Sequence, residues 1–274
     1  MEQPELNHTP MRIKRISYQC EGIKTFTLDR EIRAKAGQFV MVHAFREEEG
    51  PASEKPFTVA YDNPLRINVK SVGNDISFTR NLFGKKAGDL LQITGPLGNC
   101  FQDLIDMDRP LYVFTGGIGS AGLPLLDKEM KNAGQPPYYL TGARTRTVIP
   151  DYIFDLTCQQ KFATEDGSFG IQGTLVDALD RIQLEEGSQA IICGPREMLI
   201  KTAEKLLAYI PAEDIIIATE PIIKCGRGVC ASCEINGYHV CTDGPNFRYS
   251  DLMSAYDFTK NTRSKSGALE PLTK

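Results

Sequence analysis

Eight cysteines, at positions 20, 100, 158, 193, 225, 230, 233 and 241, divide by their spacing into two sets of four. Cys20, Cys100, Cys158 and Cys193 stand singly, whereas the others fall within KCGRGVCASCEINGYHVC near the C-terminus. Small thiols are common in cores, so the scattered set needs no special chemistry. The clustered set, Cys-x4-Cys-x2-Cys-x7-Cys, offers four soft ligands to a metal. Structural zinc sites usually pair two short knuckles separated by a dozen or more residues. Here three ligands share one loop, and a hairpin expected over Glu234–Val240, turned at Asn236-Gly237, carries Cys241 back to them. The first three spacings match the plant-type [2Fe–2S] loop, and Gly226 and Gly228 let backbone amides approach sulfur. Cys225, Cys230, Cys233 and Cys241 are therefore the expected metal ligands, with a [2Fe–2S] cluster the preferred occupant and zinc the alternative.

A second chemical signal is Thr115-Gly116-Gly117-Ile118-Gly119-Ser120-Ala121-Gly122, between an apolar strand and an amphipathic helix. Gly117, Gly119 and Gly122 satisfy G-x-G-x-x-G in the strand–turn–helix context that motif requires. Amides at the helix start would meet a pyrophosphate there. The acidic residue expected at the end of the following strand is missing, and Arg144 and Arg146 stand in its place. Cys193-Gly194-Pro195 ends another strand, which directs Cys193 to the same crevice at the carboxyl ends of the strands. No carboxylate pair or nucleophile–base set stands out, and His8, His43 and His239 are dispersed. No catalytic residue for an organic substrate is expected on this chain.

Lys+Arg 31 against Asp+Glu 35 gives a formal charge of -4, which argues against a nucleic-acid surface. No apolar run approaches the ~18 residues of a membrane span. The opening residues are polar and lack the apolar core of a secretory leader. The expectation is a cytoplasmic chain.

These groups need a scaffold, and 274 residues is enough for about two domains at roughly 100–200 residues each. In the first hundred residues, Lys24–Asp29, Phe39–Val42, Ile67–Val69 and Leu90–Thr94 read as strands. Glycines and prolines punctuate them at intervals that suit an antiparallel barrel, with a short helix at Ser77–Phe83. From Leu111 onward, strands and helices alternate: strands at Leu111–Thr115, Pro137–Thr141, Gln189–Cys193 and Ile215–Ala218, helices at Leu123–Lys131, Thr174–Leu184 and Arg196–Tyr209. That alternation predicts a parallel sheet covered by helices, closing at Ile215–Ala218. The expected fold class is all-β plus α/β, divided into residues 1–103, 104–217, a cluster-binding 218–260 and a polar tail 261–274. The third element is too small for its own core and needs a metal cluster to staple it.

Taken in order, the Gly-rich turn, Cys-Gly-Pro-x-x-Met at Cys193–Met198 and the cysteine cluster followed by Asp243-Gly244-Pro245 resemble the ferredoxin-reductase-like flavoproteins. More closely, they are similar to the electron-transfer subunits of NAD-dependent (class 1B) dihydroorotate dehydrogenases. Gly95-Pro96-Leu97-Gly98-Asn99 and Ala163–Gly170 match further family segments. The resemblance implies that the barrel binds FAD. Its flavin-supporting Arg-Pro-x-Ser/Thr strand falls on Lys55, Pro56, Phe57 and Thr58, with Lys55 in place of the usual Arg and Thr58 near flavin N5. Its phosphate-binding element falls on Gly73, Ser77 and Thr79. NAD would contact Gly116, Gly117, Gly119, Cys193, Gly194 and Pro195. The implied path joins NAD, FAD, the [2Fe–2S] cluster and an FMN-containing dihydroorotate dehydrogenase, in a heterotetramer with two of each subunit. Related subunits that serve a hydrogenase, a sulfide dehydrogenase or a ferredoxin:NAD(P)H complex are the alternative. A zinc-stabilised binding module is the alternative of another class.

Overall fold

The computed structural model describes residues 8–43, 54–71, 78–263 and 268–271. Gly73 and Ser77 lie outside the described residues. Six strands, β1 (Thr9–Cys20), β2 (Ile23–Leu28), β3 (Phe39–His43), β4 (Glu54–Asp62), β5 (Leu65–Lys70) and β6 (Leu90–Leu97), close into an antiparallel barrel ordered β1-β2-β5-β4-β3-β6. Alternation drives the closure. Met11 and Ile13 of β1, Phe26 and Leu28 of β2, and Leu65, Ile67 and Val69 of β5 all turn into the barrel core. The short helix α1 (Phe78–Phe83) packs on β5, with Leu82 buried.

A seven-stranded sheet follows, ordered β10-β9-β8-β7-β11-β12-β15. Its members are β7 (Leu111–Gly116), β8 (Tyr138–Ala143), β9 (Gln160–Thr164), β10 (Ile171–Gln172), β11 (Gln189–Cys193), β12 (Ile215–Ala218) and β15 (Asn246–Arg248). Every residue of β7 and β11 is buried, as central strands of a parallel sheet covered on both faces should be. Three helices cover it: α2 (Leu123–Asn132), α3 (Leu175–Ala178) and α4 (Arg196–Leu206). The helical stripe Leu199, Ala203, Leu206 with Ile210 is wholly buried. One core runs unbroken from barrel residues such as Val40 and Ile67 to Val113, Leu123 and Ile191 of the sheet.

The structure corrects two expectations. The sheet does not close at β12, because β15 adds to it antiparallel, pairing Ile217 with Phe247 and Ala218 with Asn246. The helix over Thr174–Leu184 stops early. A reciprocal cap between Thr174 and Asp177 starts it, but Ile182 is extended and the Gln183 carbonyl accepts a bond from the Tyr112 hydroxyl. Within the polar tail, β16 (Asn261–Arg263) pairs with β17 (Leu269–Pro271), and Asn261 is buried.

Between β12 and β15 lie the hairpin β13 (Glu234–Ile235) and β14 (Tyr238–His239) and the turn of helix α5 (Val240–Asp243). Two further short helices, α6 (Tyr249–Leu252) and α7 (Tyr256–Thr259), follow β15. The segment therefore returns to the main sheet and buries Ile223, Val240, Phe247 and Leu252 in its second core. Among the described residues no helix is long and apolar enough to cross a membrane.

Candidate functional site

The hairpin turned at Asn236-Gly237 brings Cys241 into the loop of the other three thiols. Gly228 donates its amide to Cys241 Sγ at 3.1 Å, and Arg227 donates to Cys225 Sγ at 3.4 Å. Gly228 sits at φ +69° with the Thr242 side chain 3.2 Å from where a Cβ would stand, so only glycine delivers that amide without strain. Burial would raise the Cys225 thiol, but the amides of Arg227, Cys230 and Val229 hold it down at about 7. A hydrogen bond from Cys241 lowers Cys233 to about 6, and the same bond raises Cys241.

The donors therefore come as two pairs, Cys225 with Cys230 and Cys233 with Cys241. A two-iron cluster takes two thiolates on each iron, and the paired arrangement fits that group. The loop leans on the barrel: a Cβ on Gly226 would stand 3.2 Å from Met41 Cγ and 3.1 Å from Leu97 Cδ1.

Asn99 and Asn246 fasten this segment to the barrel. Asn99 donates through Nδ2 to the carbonyls of Asp243 and Asn246 (3.1 and 2.8 Å), and its amide donates to Gly244 O at 2.6 Å. Asn246 Nδ2 in return reaches Asn99 Oδ1 at 3.1 Å and Gly37 O at 3.3 Å. Thr219 donates to Pro245 O from both its amide and its hydroxyl.

Lys55, Pro56, Phe57 and Thr58 lie on β4, where Pro56 pairs with Met41 and Thr58 with Phe39 of β3. Phe57 is buried in the barrel core, its ring 6.3 Å from Phe78. Thr79 is on α1. The Gly-rich turn crosses to this strand: a Cβ on Gly122 would stand 2.8 Å from Thr58 Cγ2. On its other side Gly119 presses against the backbone of Cys193 and Gly194, leaving only 2.5 Å for a Cβ. Met198 packs over Gly116 and Gly194, which explains the methionine of Cys-Gly-Pro-x-x-Met. Pro195 is exposed beyond them. The turn thus touches Thr58 and Cys193 at once, while the cluster loop touches β3, the strand beside Thr58.

Two fastenings of the turn escaped the sequence reading. Asn68, buried on β5, accepts from Thr25 Oγ1 at 2.6 Å and donates to Ala121 O at 3.1 Å. Ser120 Oγ donates to Gly117 O at 2.8 Å and meets the buried Tyr152 hydroxyl at 2.8 Å. Asn68 lies between the core residues Ile67 and Val69, on the face of β5 turned away from the barrel core and toward the Gly-rich turn, so alternation gives no signal of its burial. Burial, and to a lesser degree Glu220, pushes the Cys193 thiol up, so it stays protonated and uncharged at neutral pH. The hydroxyls of Thr115 and Thr141, both buried, have no partner among the described residues. Orphaned donors beside the Gly-rich turn fit a nucleotide bound there.

An antiparallel barrel joined to a parallel sheet, with the Gly-rich turn at their junction, defines a ferredoxin-reductase-like oxidoreductase. Solved structures agree. An NADH-dependent reduced ferredoxin-NADP oxidoreductase superposes with TM-score 0.77 at 27% identity, covering 90% of each chain. A ferredoxin NADP+ reductase from Neisseria gonorrhoeae with bound FAD and NADP shares the fold with TM-score 0.65 at 16% identity, over 78% of this chain and 98% of that one. The iron-sulfur cluster binding domain of dihydroorotate dehydrogenase B matches residues 220–253. The probable dihydroorotate dehydrogenase B (NAD(+)) electron transfer subunit of Methanothermobacter thermautotrophicus is 32% identical over 283 residues, 99% of this chain and 98% of the relative. That of Pyrococcus horikoshii is 36% identical over 258 residues, 92% and 94%. The chain belongs to the family of dihydroorotate dehydrogenase B electron transfer subunits.

Proposed function

We propose that this chain carries electrons between NAD(H) and a catalytic dihydroorotate dehydrogenase subunit, through FAD at the barrel and a [2Fe–2S] cluster in the C-terminal segment. The observation that supports it best is convergence: the Gly-rich turn touches Thr58 and Cys193, and the cluster loop touches the strand paired with Thr58. When bound, a flavin exchanges hydride pairs with a nicotinamide and single electrons with iron–sulfur centres. The chain's own part is to bind and orient. Lys55–Thr58 and Thr79 hold the flavin, with Thr58 at its reactive edge. Gly116, Gly117 and Gly119 receive the dinucleotide phosphates, and Cys193, Gly194 and Pro195 line the nicotinamide end. The neutral Cys193 thiol presents a soft, uncharged surface there. Cys225, Cys230, Cys233 and Cys241 hold the cluster.

The functional division follows the cuts near residues 103, 217 and 260, with β15 lending the cluster segment to the sheet. The organic substrate belongs to an FMN-containing partner, two of each subunit forming a cytoplasmic heterotetramer. Dihydroorotate oxidation is the test. The chain with its catalytic partner should reduce NAD+ with dihydroorotate, whereas the chain alone should not. Turnover of dihydroorotate by the isolated chain would contradict the proposal.

A further inference from the structure

Barrel and sheet share one apolar core, and apolar contact by itself has no preferred direction, so it leaves their register loose. Hydrogen bonds do have direction. Two hydrogen-bonded lines run through this interface, from the barrel to the consecutive residues Ser120 and Ala121 of the Gly-rich turn.

The first line starts on β2 and β5. Thr25 pairs with Asn68 across those strands, and its hydroxyl donates to Asn68 Oδ1 at 2.6 Å. That bond fixes the orientation of the amide and leaves Nδ2 to donate to Ala121 O at 3.1 Å. Thr25, Asn68 and Ala121 are all buried. A buried amide is costly unless it is bonded, and an apolar side chain would fill the same place without that cost. What the amide adds is direction.

The second line starts on β1. Gln19 Oε1 accepts from the Tyr152 amide at 3.1 Å, in the short helical turn Asp151–Ile153. The Tyr152 ring is buried, and its hydroxyl lies 2.8 Å from Ser120 Oγ. Ser120 commits its one proton to Gly117 O at 2.8 Å, so the tyrosine is the donor. Burial raises the Tyr152 hydroxyl above its ordinary range, which keeps that proton in place.

These bonds divide by what they hold. The bond from Ser120 to Gly117 closes the turn on itself, and Gly119 wedges it against the backbone of Cys193 and Gly194. Both give the turn its shape. Asn68 and Tyr152 grip it from outside, next to Gly122, whose Cβ would stand 2.8 Å from Thr58 Cγ2. The outer bonds thus set the spacing between the turn and the strand of Thr58.

Resting on the FAD and NAD reading above, we propose that Asn68 and Tyr152 are positioning residues: they register the Gly-rich turn against the strand of Thr58 and so set the rate of hydride transfer rather than the affinity for nucleotide. In that step the C4–H bond of NADH breaks and an N–H bond forms on the flavin, two electrons passing with the hydride and leaving NAD+. The step is sensitive to placement, since about 1 Å of displacement can cost on the order of 100-fold in rate. Affinity follows the shape of the turn, which neither residue closes.

Rapid mixing of the flavin-loaded chain with NADH gives a limiting rate of flavin reduction and a half-saturation. Calorimetry with ADP-ribose and hydrogen exchange of the Gly116–Gly122 peptide add two readouts that need no turnover. Asn68→Leu should lower the limiting rate about 10- to 100-fold and leave half-saturation and ADP-ribose affinity within about threefold. Exchange in the turn should rise about tenfold. Tyr152→Phe removes one oxygen and should lower the rate about three- to tenfold in the same pattern, which keeps the test open if the Asn68 variant does not fold. Thr25→Val frees the Asn68 amide and should slow reduction about fivefold, whereas Thr25→Ser keeps the hydroxyl and should restore the rate to within about twofold. Ser120→Ala opens the turn itself and should weaken ADP-ribose about tenfold. An unchanged limiting rate in both Asn68→Leu and Tyr152→Phe, or rate and affinity falling in equal measure, overturns the assignment. An unaltered chain whose flavin NADH does not reduce, and which does not bind ADP-ribose, overturns the NAD reading itself.

Discussion

The two sets of four cysteines share a side chain and differ in almost everything around it. In the scattered set, burial dominates: it pushes Cys20 up to about 11, with Asp151 adding to it, and Cys158 up to about 12, where the thiol donates a hydrogen bond to Asp127. Cys100 and Cys193 also rise, burial first in both. In the cluster loop, backbone amides turned toward sulfur hold Cys225 at about 7, and the bond from Cys241 holds Cys233 at about 6. Cys241 rises because it donates that bond. The lesson is that partners decide what a thiol does here. Cys233 and Cys193 are both buried, yet one is readied to bind metal as a thiolate and the other is kept neutral.

The largest effect should come from removing a sulfur on each side of this contrast. Cys233→Ser should abolish the cluster's absorbance and iron content and cut dihydroorotate-linked NAD+ reduction at least about 100-fold. Flavin reduction by NADH should stay within about twofold. The same substitution at Cys20 should change none of these, and loss of iron from the Cys20 variant would erase the distinction. Next in size is thiol reactivity in metal-stripped chain. At pH 7.5 iodoacetamide should label Cys225 and Cys233 at least about tenfold faster than Cys158, because only the thiolate reacts. Raising the pH toward 9 should narrow the gap, since the cluster thiols are already ionised while Cys158 is still gaining thiolate. Peptide mass spectrometry reads both, and equal rates at pH 7.5 would contradict the account.

Two substitutions probe the supports of each set. Asn246→Leu removes the bonds to Asn99 and Gly37 that tie the cluster segment to the barrel. It should destabilise the chain by about 2–3 kcal/mol in thermal unfolding. Cys158→Ser keeps a donor for the buried Asp127 carboxylate and should cost less than about 1 kcal/mol. A larger loss from Cys158→Ser than from Asn246→Leu would reverse the ranking.

The sequence disclosed what is local. Cys225–Cys233 share one loop, Cys241 returns on an Asn-Gly turn, and Gly117–Gly122 sit between strand and helix. Spacing alone therefore reads them. It was silent where the partner is distant. Asn99 clasps Asn246 across 147 residues, Asn68 reaches Ala121, and Tyr152 finds Ser120, none with a periodic trace. The strand β15 is three residues long and directly follows a glycine–proline pair, too short to show alternation. The helix begun at Thr174 was overread because its capping residues are local while the tie that ends it, Gln183 to Tyr112, is not.

The most direct test of the central claim is anaerobic titration of the purified chain with NADH, followed optically together with iron, sulfide and flavin analysis. The account predicts about one FAD, two iron and two sulfide per chain, with both the flavin bands and the iron–sulfur absorbance bleached by NADH. A colourless chain holding about one zinc, with no response to NADH, would contradict it.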